Sequence, residues 1–266
     1  MRTYHQLTDA DRSGLADQIA AQRRRVAERL AGVGRIVAVM SGKGGVGKSY
    51  VTAHLGRALA RAGLTVGVLD ADLNGPTIPA LLETHDGRRT TDGGTQPARG
   101  LDGVKYISMG QFLEAGVPLA FKGPTTESFV WRGAMEASAV REFLGDVEWG
   151  RLDVLLLDLP PGMQRYIELC DILANPPAVL TVTIATPESR DAVRRAMRAA
   201  VDRGSELLGL VENMVGREFV GTAGDDLAEE FGVPVLARMP WHPESQAWDG
   251  LAVQVSGARR TTSGPR

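Results

Sequence analysis

The sequence predicts an α/β fold: a mostly parallel sheet with helices on both faces. Three observations carry that expectation. From Ile36 onward, short apolar runs alternate with helical segments; a glycine-rich loop joins the first run to its helix; and the run 154–157 is unbroken by polar residues, as in a strand covered on both sides. With 266 residues, 43% hydrophobic, the chain is long enough for one large α/β core. Its net charge of -2 gives no overall attraction to nucleic acid or to an anionic membrane. The single cysteine, Cys170, excludes a disulfide framework. Residues 1–12 are polar where a signal peptide is apolar, and no run approaches the roughly 18 apolar residues of a membrane helix. A cytoplasmic protein without membrane contact is expected.

Residues 8–30 read as a helix, with Thr8 and Asp11 at capping-box-like spacing and Leu15, Ile19, Val26 and Leu30 along one stripe. Arg23, Arg24 and Arg25 belong to its charged face. The first strand is 36–40, the helix after its loop spans 48–62 and stops at Gly63, and 65–70 is a second strand ending in acid. Later strands are expected at 104–108, 154–157, 178–184, 207–211 and 235–237. The clearest helix of the second half is capped by Thr186 and opens with Pro187 and Glu188. It sets Val193, Met197, Ala200 and Val201 at core spacing. Segment 85–100, rich in Gly, Thr, Arg and Asp without periodicity, is expected to be a mobile surface loop.

The loop Gly42-Lys43-Gly44-Gly45-Val46-Gly47-Lys48-Ser49 satisfies both G-x-G-x-x-G and G-x-x-x-x-G-K-S. The first pattern holds a dinucleotide, with Asp70 available for the ribose. The second holds a triphosphate, and Lys48 and Ser49 favour it, since a dinucleotide site has no need of an ammonium and a hydroxyl at the helix start. In that reading backbone N–H groups curl around the phosphates, Lys48 reaches the β- and γ-phosphates, and the Ser49 hydroxyl binds Mg2+. Lysine is otherwise rare, occurring only at Lys43, Lys48, Lys105 and Lys122. The strand ending at Asp158, followed by Leu159-Pro160-Pro161-Gly162, has Walker B form and places Asp158 to hold Mg2+. The chain is therefore expected to have a P-loop NTPase fold with a nucleoside triphosphate and Mg2+ as ligands. Residues 35–255 would form that domain, 1–34 an N-terminal helical extension and 256–266 a disordered tail.

With Lys43 added, the loop is a deviant Walker A of the K-G-G-x-G-K-S type, and the chain resembles the MinD/ParA superclass of ATPases. Further motifs follow in the order of the Mrp family of ATP-dependent iron-sulfur cluster carriers, over about Ile36 to Pro243. They are Leu69-Asp70-Ala71-Asp72 with Asn74-Gly75-Pro76-Thr77-Ile78-Pro79, Trp131-Arg132-Gly133, the Asp158 turn, and Val211-Glu212-Asn213-Met214. The resemblance implies an ATP-bound homodimer in which Lys43 reaches the partner's phosphates. It further implies that Asp72 positions the attacking water, Asp70 assists near the metal, Asp158 with Pro160 to Gly162 senses the γ-phosphate, and Asn213 lies at the adenine. Guanine-specific relatives carry an N-K-x-D-like segment where this chain reads Asn213-Met214-Val215-Gly216, which implies ATP. Tyr50 stands where relatives usually have Thr, leaving its backbone N–H for the α-phosphate. Met163-Gln164-Arg165 replaces T-G-D, which implies slow turnover.

The family also implies an iron-sulfur assembly role with a protein cargo or partner. Cluster-carrying relatives present C-x-x-C after the N-M pair, and the stretch from Val215 to Thr222 contains no cysteine. Two copies of Cys170 would supply only half of the four thiolates of a four-iron cluster, so none is expected on this chain alone. Cys170 itself reads as a small buried hydrophobe. His5, His54, His85 and His242 show no ligand spacing. The other reading of the cycle is a MinD/ParA-like positioning or scaffolding protein, although the end of the chain from Gly257 makes a poor amphipathic membrane helix.

Overall fold

The computed structural model describes residues 15–72, 75–84, 89–111, 138–216 and 219–257. Its centre is an eight-stranded sheet. The strands are β1 (Ile36–Ser41), β2 (Val66–Asp70), β5 (Ala98–Arg99), β6 (Lys105–Ser108), β7 (Val154–Asp158), β8 (Ala178–Thr183), β9 (Leu207–Val215) and β10 (Val235–Pro240). Their spatial order is β10-β9-β8-β1-β7-β2-β6-β5. Every pairing is parallel except β5 with β6. A separate two-stranded hairpin joins β3 (Arg89–Thr91) to β4 (Gly94–Gln96).

Alternate residues of each strand serve opposite faces, as the two-residue period of a pleated strand requires. Val37 and Val39 of β1, with Val68 and Leu156, pack under α2 (Lys48–Arg61) and α8 (Ser245–Gly257), whose Leu55, Leu59, Trp248 and Leu251 are buried there. Ala38 and Met40, with Leu69, Leu155 and Leu157, face the other way. They pack under α1 (Leu15–Leu30), α4 (138–146), α5 (Gln164–Cys170) and α6 (Pro187–Asp202). Helices therefore cover both faces, as expected. A short α3 (Ile78–Leu82) follows β2, and α7 (Ala223–Phe231) packs beside α6 through Leu227 and Val193.

Several local expectations change. Part of 85–100 is ordered into β3, β4 and β5 rather than a loop, because Thr91 Oγ1 donates to Glu148 Oε1 (2.9 Å) and Arg29 donates to the Gly93 carbonyl (2.7 Å). Val201 is 46% exposed, one position beyond the buried stripe of Val193, Ala196, Met197 and Ala200. Strand β9 runs four residues past Val211 and carries Glu212 and Asn213 within it. Helix α8 extends to Gly257, so a tail beginning at Ser256 starts inside a helix. Thr186 caps α6 as expected, accepting from the Ser189 N–H at 3.3 Å. Residues 8–14 of the expected N-terminal helix, and residues 258–266 of the expected tail, lie outside the described residues.

Candidate functional site

Strands β1, β7 and β2 are adjacent and parallel, so their carboxyl ends open on one edge of the sheet, and the glycine loop leaves β1 there to enter α2. Glycine is required at two points. A β-carbon on Gly42 would lie 2.3 Å from the Ala192 backbone of α6, and one on Gly47, at φ +78°, would lie 2.3 Å from Asn213 Nδ2. No side chain caps the start of α2, which leaves its first N–H groups directed at the loop with the positive end of the helix dipole.

Asp158, at the end of β7, is fully buried and gathers three donors. Lys48 Nζ lies 2.7 Å from Oδ1, Thr52 Oγ1 2.8 Å from Oδ1, and Ser49 Oγ 2.5 Å from Oδ2. Lys48 is itself only 7% exposed, so this is a buried ion pair held in place by hydroxyls. Asp70 is Asp158's register partner on β2. It accepts from Ser108 Oγ at 2.9 Å, from the Asp72 N–H at 3.2 Å and from the Ile78 N–H at 3.4 Å.

Burial, reinforced by the neighbouring Asp158 carboxylate, pushes the Asp70 carboxyl up to about 7 despite the Ser108 and Asp72 hydrogen bonds and the Lys48 charge. Between its unfolded value of 3.8 and about 7, the folded state keeps a proton that the unfolded state has released. Stability of the metal-free, nucleotide-free protein therefore falls through this group as pH rises across that window. Asp70→Asn removes the dependence. Urea unfolding at both ends of the window is expected to show wild type losing up to roughly 4 kcal/mol relative to the variant, and parallel pH profiles would refute the assignment.

Lys43, Lys48, Ser49, Tyr50, Asp72 and Pro161 line a cleft of about 480 Å3 along the loop. Lys43 does not join the Asp158 cluster; its Nζ lies 3.5 Å from Thr186 Oγ1, at the cap of α6. Asn213 donates to the Val46 carbonyl at 2.9 Å, tying β9 to the loop. The Tyr50 ring turns from the loop to stack near His54 (4.0 Å between centroids) and meets Trp248 of α8 edge-on at 5.7 Å.

A family model described as NUBPL iron-transfer P-loop NTPase matches residues 32–260. The chain belongs to this family. Among its relatives, the iron-sulfur cluster carrier protein of Saccharolobus solfataricus is 34% identical over 85% of this chain and 77% of that protein. The cytosolic Fe-S cluster assembly factor NUBP2 of Bos taurus is 38% identical over 81% of this chain and 82% of its own length. Among solved structures, the nucleotide-binding protein from Archaeoglobus fulgidus in complex with ADP superimposes with a TM-score of 0.67 at 31% identity, covering 89% of this chain and 93% of that one.

Within this P-loop NTPase, three side chains at the site were not singled out by sequence motifs. Thr52 lies one helical turn after Ser49, and that spacing was the available signal. Ser108 is brought to Asp70 only by the β2–β6 register. Thr186 was legible as a cap but not as the contact of Lys43. Asn74, Trp131, Arg132 and Gly133 lie outside the described residues. Among the described residues, no group of three His, Cys, Asp or Glu side chains is placed to hold a metal ion. Cys170, the last residue of α5, is half-buried beside Tyr166, and burial pushes its thiol pKa up, away from the thiolate that ligation requires. No helix of the described residues is long and apolar enough to cross a membrane.

Proposed function

We propose that this chain is a Mg2+-dependent ATPase that works as a dimeric, nucleotide-controlled switch in cytoplasmic iron-sulfur cluster assembly. Residues 35–255, with α8 continuing to Gly257, act as the ATPase domain behind an N-terminal extension, residues 1–34, that contains α1. The observation that carries this reading is the convergence of Lys48, Ser49 and Thr52 on Asp158 beneath a glycine loop and an uncapped helix start. Ser49 Oγ and Asp158 Oδ2 form an all-oxygen donor pair. That suits Mg2+, which takes one or two protein oxygens and completes its shell with phosphates and water. When bound, Mg2+ neutralises charge on the β- and γ-phosphates.

The protein's own residues do the rest. Backbone N–H groups from Gly42 to Tyr50 bind the phosphates, and the Lys48 ammonium exchanges its Asp158 partner for the β- and γ-phosphate oxygens. Asp72, in the same cleft, orients the attacking water, and Asp70 assists at the metal. Asn213 stands at the base. Lys43, resting on Thr186 in the single chain, supplies its charge to the partner's phosphates in the dimer, so transition-state stabilisation arrives only on association. Gln164 is tied to Glu168 at 3.0 Å on the helix surface, which favours a solvated helix start over a water-orienting role.

The cluster is cargo in this reading, and the residues present do not fit holding it. The chain has one cysteine, half-buried with its thiol pKa pushed up by burial, and among the described residues no group of three His, Cys, Asp or Glu side chains could hold a metal ion. A partner chain supplies the thiolates. Anaerobic reconstitution of the isolated protein with iron and sulfide is expected to leave no four-iron absorption after desalting, and a stable cluster on this chain alone would contradict the reading. The missing cysteines also favour a second possibility, a scaffolding protein whose ATP cycle controls assembly without cluster cargo. Co-sedimentation with anionic liposomes or DNA in the presence of ATP would support that reading instead.

A further inference from the structure

A cavity of about 670 Å3 opens between α1, α4, α5 and the end of α6, in the helical layer across the sheet from α2 and the nucleotide cleft. Its charged lining is unbalanced. Asp171 is taken by Arg203 at 2.6 Å, and Glu168 by Arg165 at 2.6 Å. Arg141 and Arg23 also line the cavity, and among the described residues neither meets a carboxylate. Arg141 is partly buried, and its Nε is sheltered from solvent without an acceptor. A guanidinium withdrawn from water is stabilised by an opposing charge, and its planar fork matches a carboxylate or phosphate. Ile19 and Ile172 give the same cavity apolar wall, and its volume is within the range of small-molecule sites.

We propose that this cavity is a binding site for a small organic anion, a carboxylate or phosphate ester on an apolar body. Arg141 and Arg23 take the charged end, and Ile19 and Ile172 enclose the body. The site shares no lining residue with the nucleotide cleft and stands independently of the ATPase reading.

The test uses the full chain saturated with Mg2+ and ADP, so that anions are kept from the phosphate loop, and titrates phenyl phosphate and benzoate by calorimetry and by isoleucine-methyl NMR. Saturable binding of either probe is expected, with shifts at the Ile19 and Ile172 methyls. Arg141→Met should weaken it at least about tenfold, as loss of a charge-assisted fork implies. Should Arg141→Met fail to fold, the exposed Arg23→Ser variant gives the same test, with weaker binding expected. The probe bound more tightly identifies the headgroup. No binding of either probe, binding without shifts at the two isoleucines, or equal affinity in wild type and variants overturns the proposal. The methyl shifts report the cavity whether or not ADP occupies the loop, so this outcome is separable from any failure of the nucleotide reading.

Discussion

Lys43→Ala is expected to lower ATP turnover by roughly 10^3-fold, the lower end of what a cation supplied in trans contributes to phosphoryl transfer. Its equilibrium affinity for ATP should stay within about threefold of wild type. The asymmetry follows from where Lys43 sits. It takes no part in the cluster that holds Lys48, Ser49 and Asp158 together, and its ammonium rests 3.5 Å from Thr186 at the edge of the cleft. Removing it leaves the glycine loop and the Lys48–Ser49–Asp158 cluster, the proposed phosphate and metal sites, intact. A group that acts only in the transition state lowers kcat without changing ground-state binding. Single-turnover hydrolysis alongside ATP titration separates the two quantities. A variant with wild-type turnover would remove Lys43 from the mechanism, and one that no longer binds ATP would make it a cis ligand.

Asp158→Ala should cost about 3–5 kcal/mol of stability before any nucleotide is added. The substitution strands the Lys48 ammonium, 7% exposed, without its counter-charge and removes the acceptor of the Ser49 and Thr52 hydroxyls. On the proposed mechanism, Mg2+-dependent turnover is expected to be lost with it, since the carboxylate assigned to the metal disappears. Asp158→Asn retains a carbonyl acceptor within the same volume and should unfold at intermediate denaturant concentration. Chemical denaturation of the three proteins without nucleotide checks the order. Equal stability for wild type and the alanine variant would mean that the buried pair is not the anchor of the site.

Lys48, Ser49 and Asp158 were legible because each sits in a short local motif: the loop entering a helix, and the apolar run ending in acid. The parallel strands were legible for a related reason, since a run such as Val154 to Leu157 can be satisfied only by burial on both faces. What escaped was fixed by distant partners. The β3–β4 hairpin is held by Glu148 and Arg29, 57 and 64 residues from their hydrogen-bond partners Thr91 and Gly93; its local signal, Asp92-Gly93 as a two-residue turn between threonines, was present in the sequence but passed over in a segment without hydrophobic alternation. Ser108 reaches Asp70 only through sheet register, a property of the fold rather than of the segment. Val201 failed because the apolar stripe of α6 ends one residue earlier than the helix spacing suggested. The C-x-x-C that the resemblance implies is not found between Val215 and Thr222, and only the sequence bears on that point.

The most direct test of a nucleotide-controlled dimer is native mass together with ATPase rate per subunit across a range of protein concentrations. A monomer is expected with Mg2+ and ADP, a mass twice as large with Mg2+ and ATP, and a rate per subunit that climbs with concentration toward a plateau. Full turnover from a protein that stays monomeric, at a rate per subunit independent of concentration, would contradict that expectation.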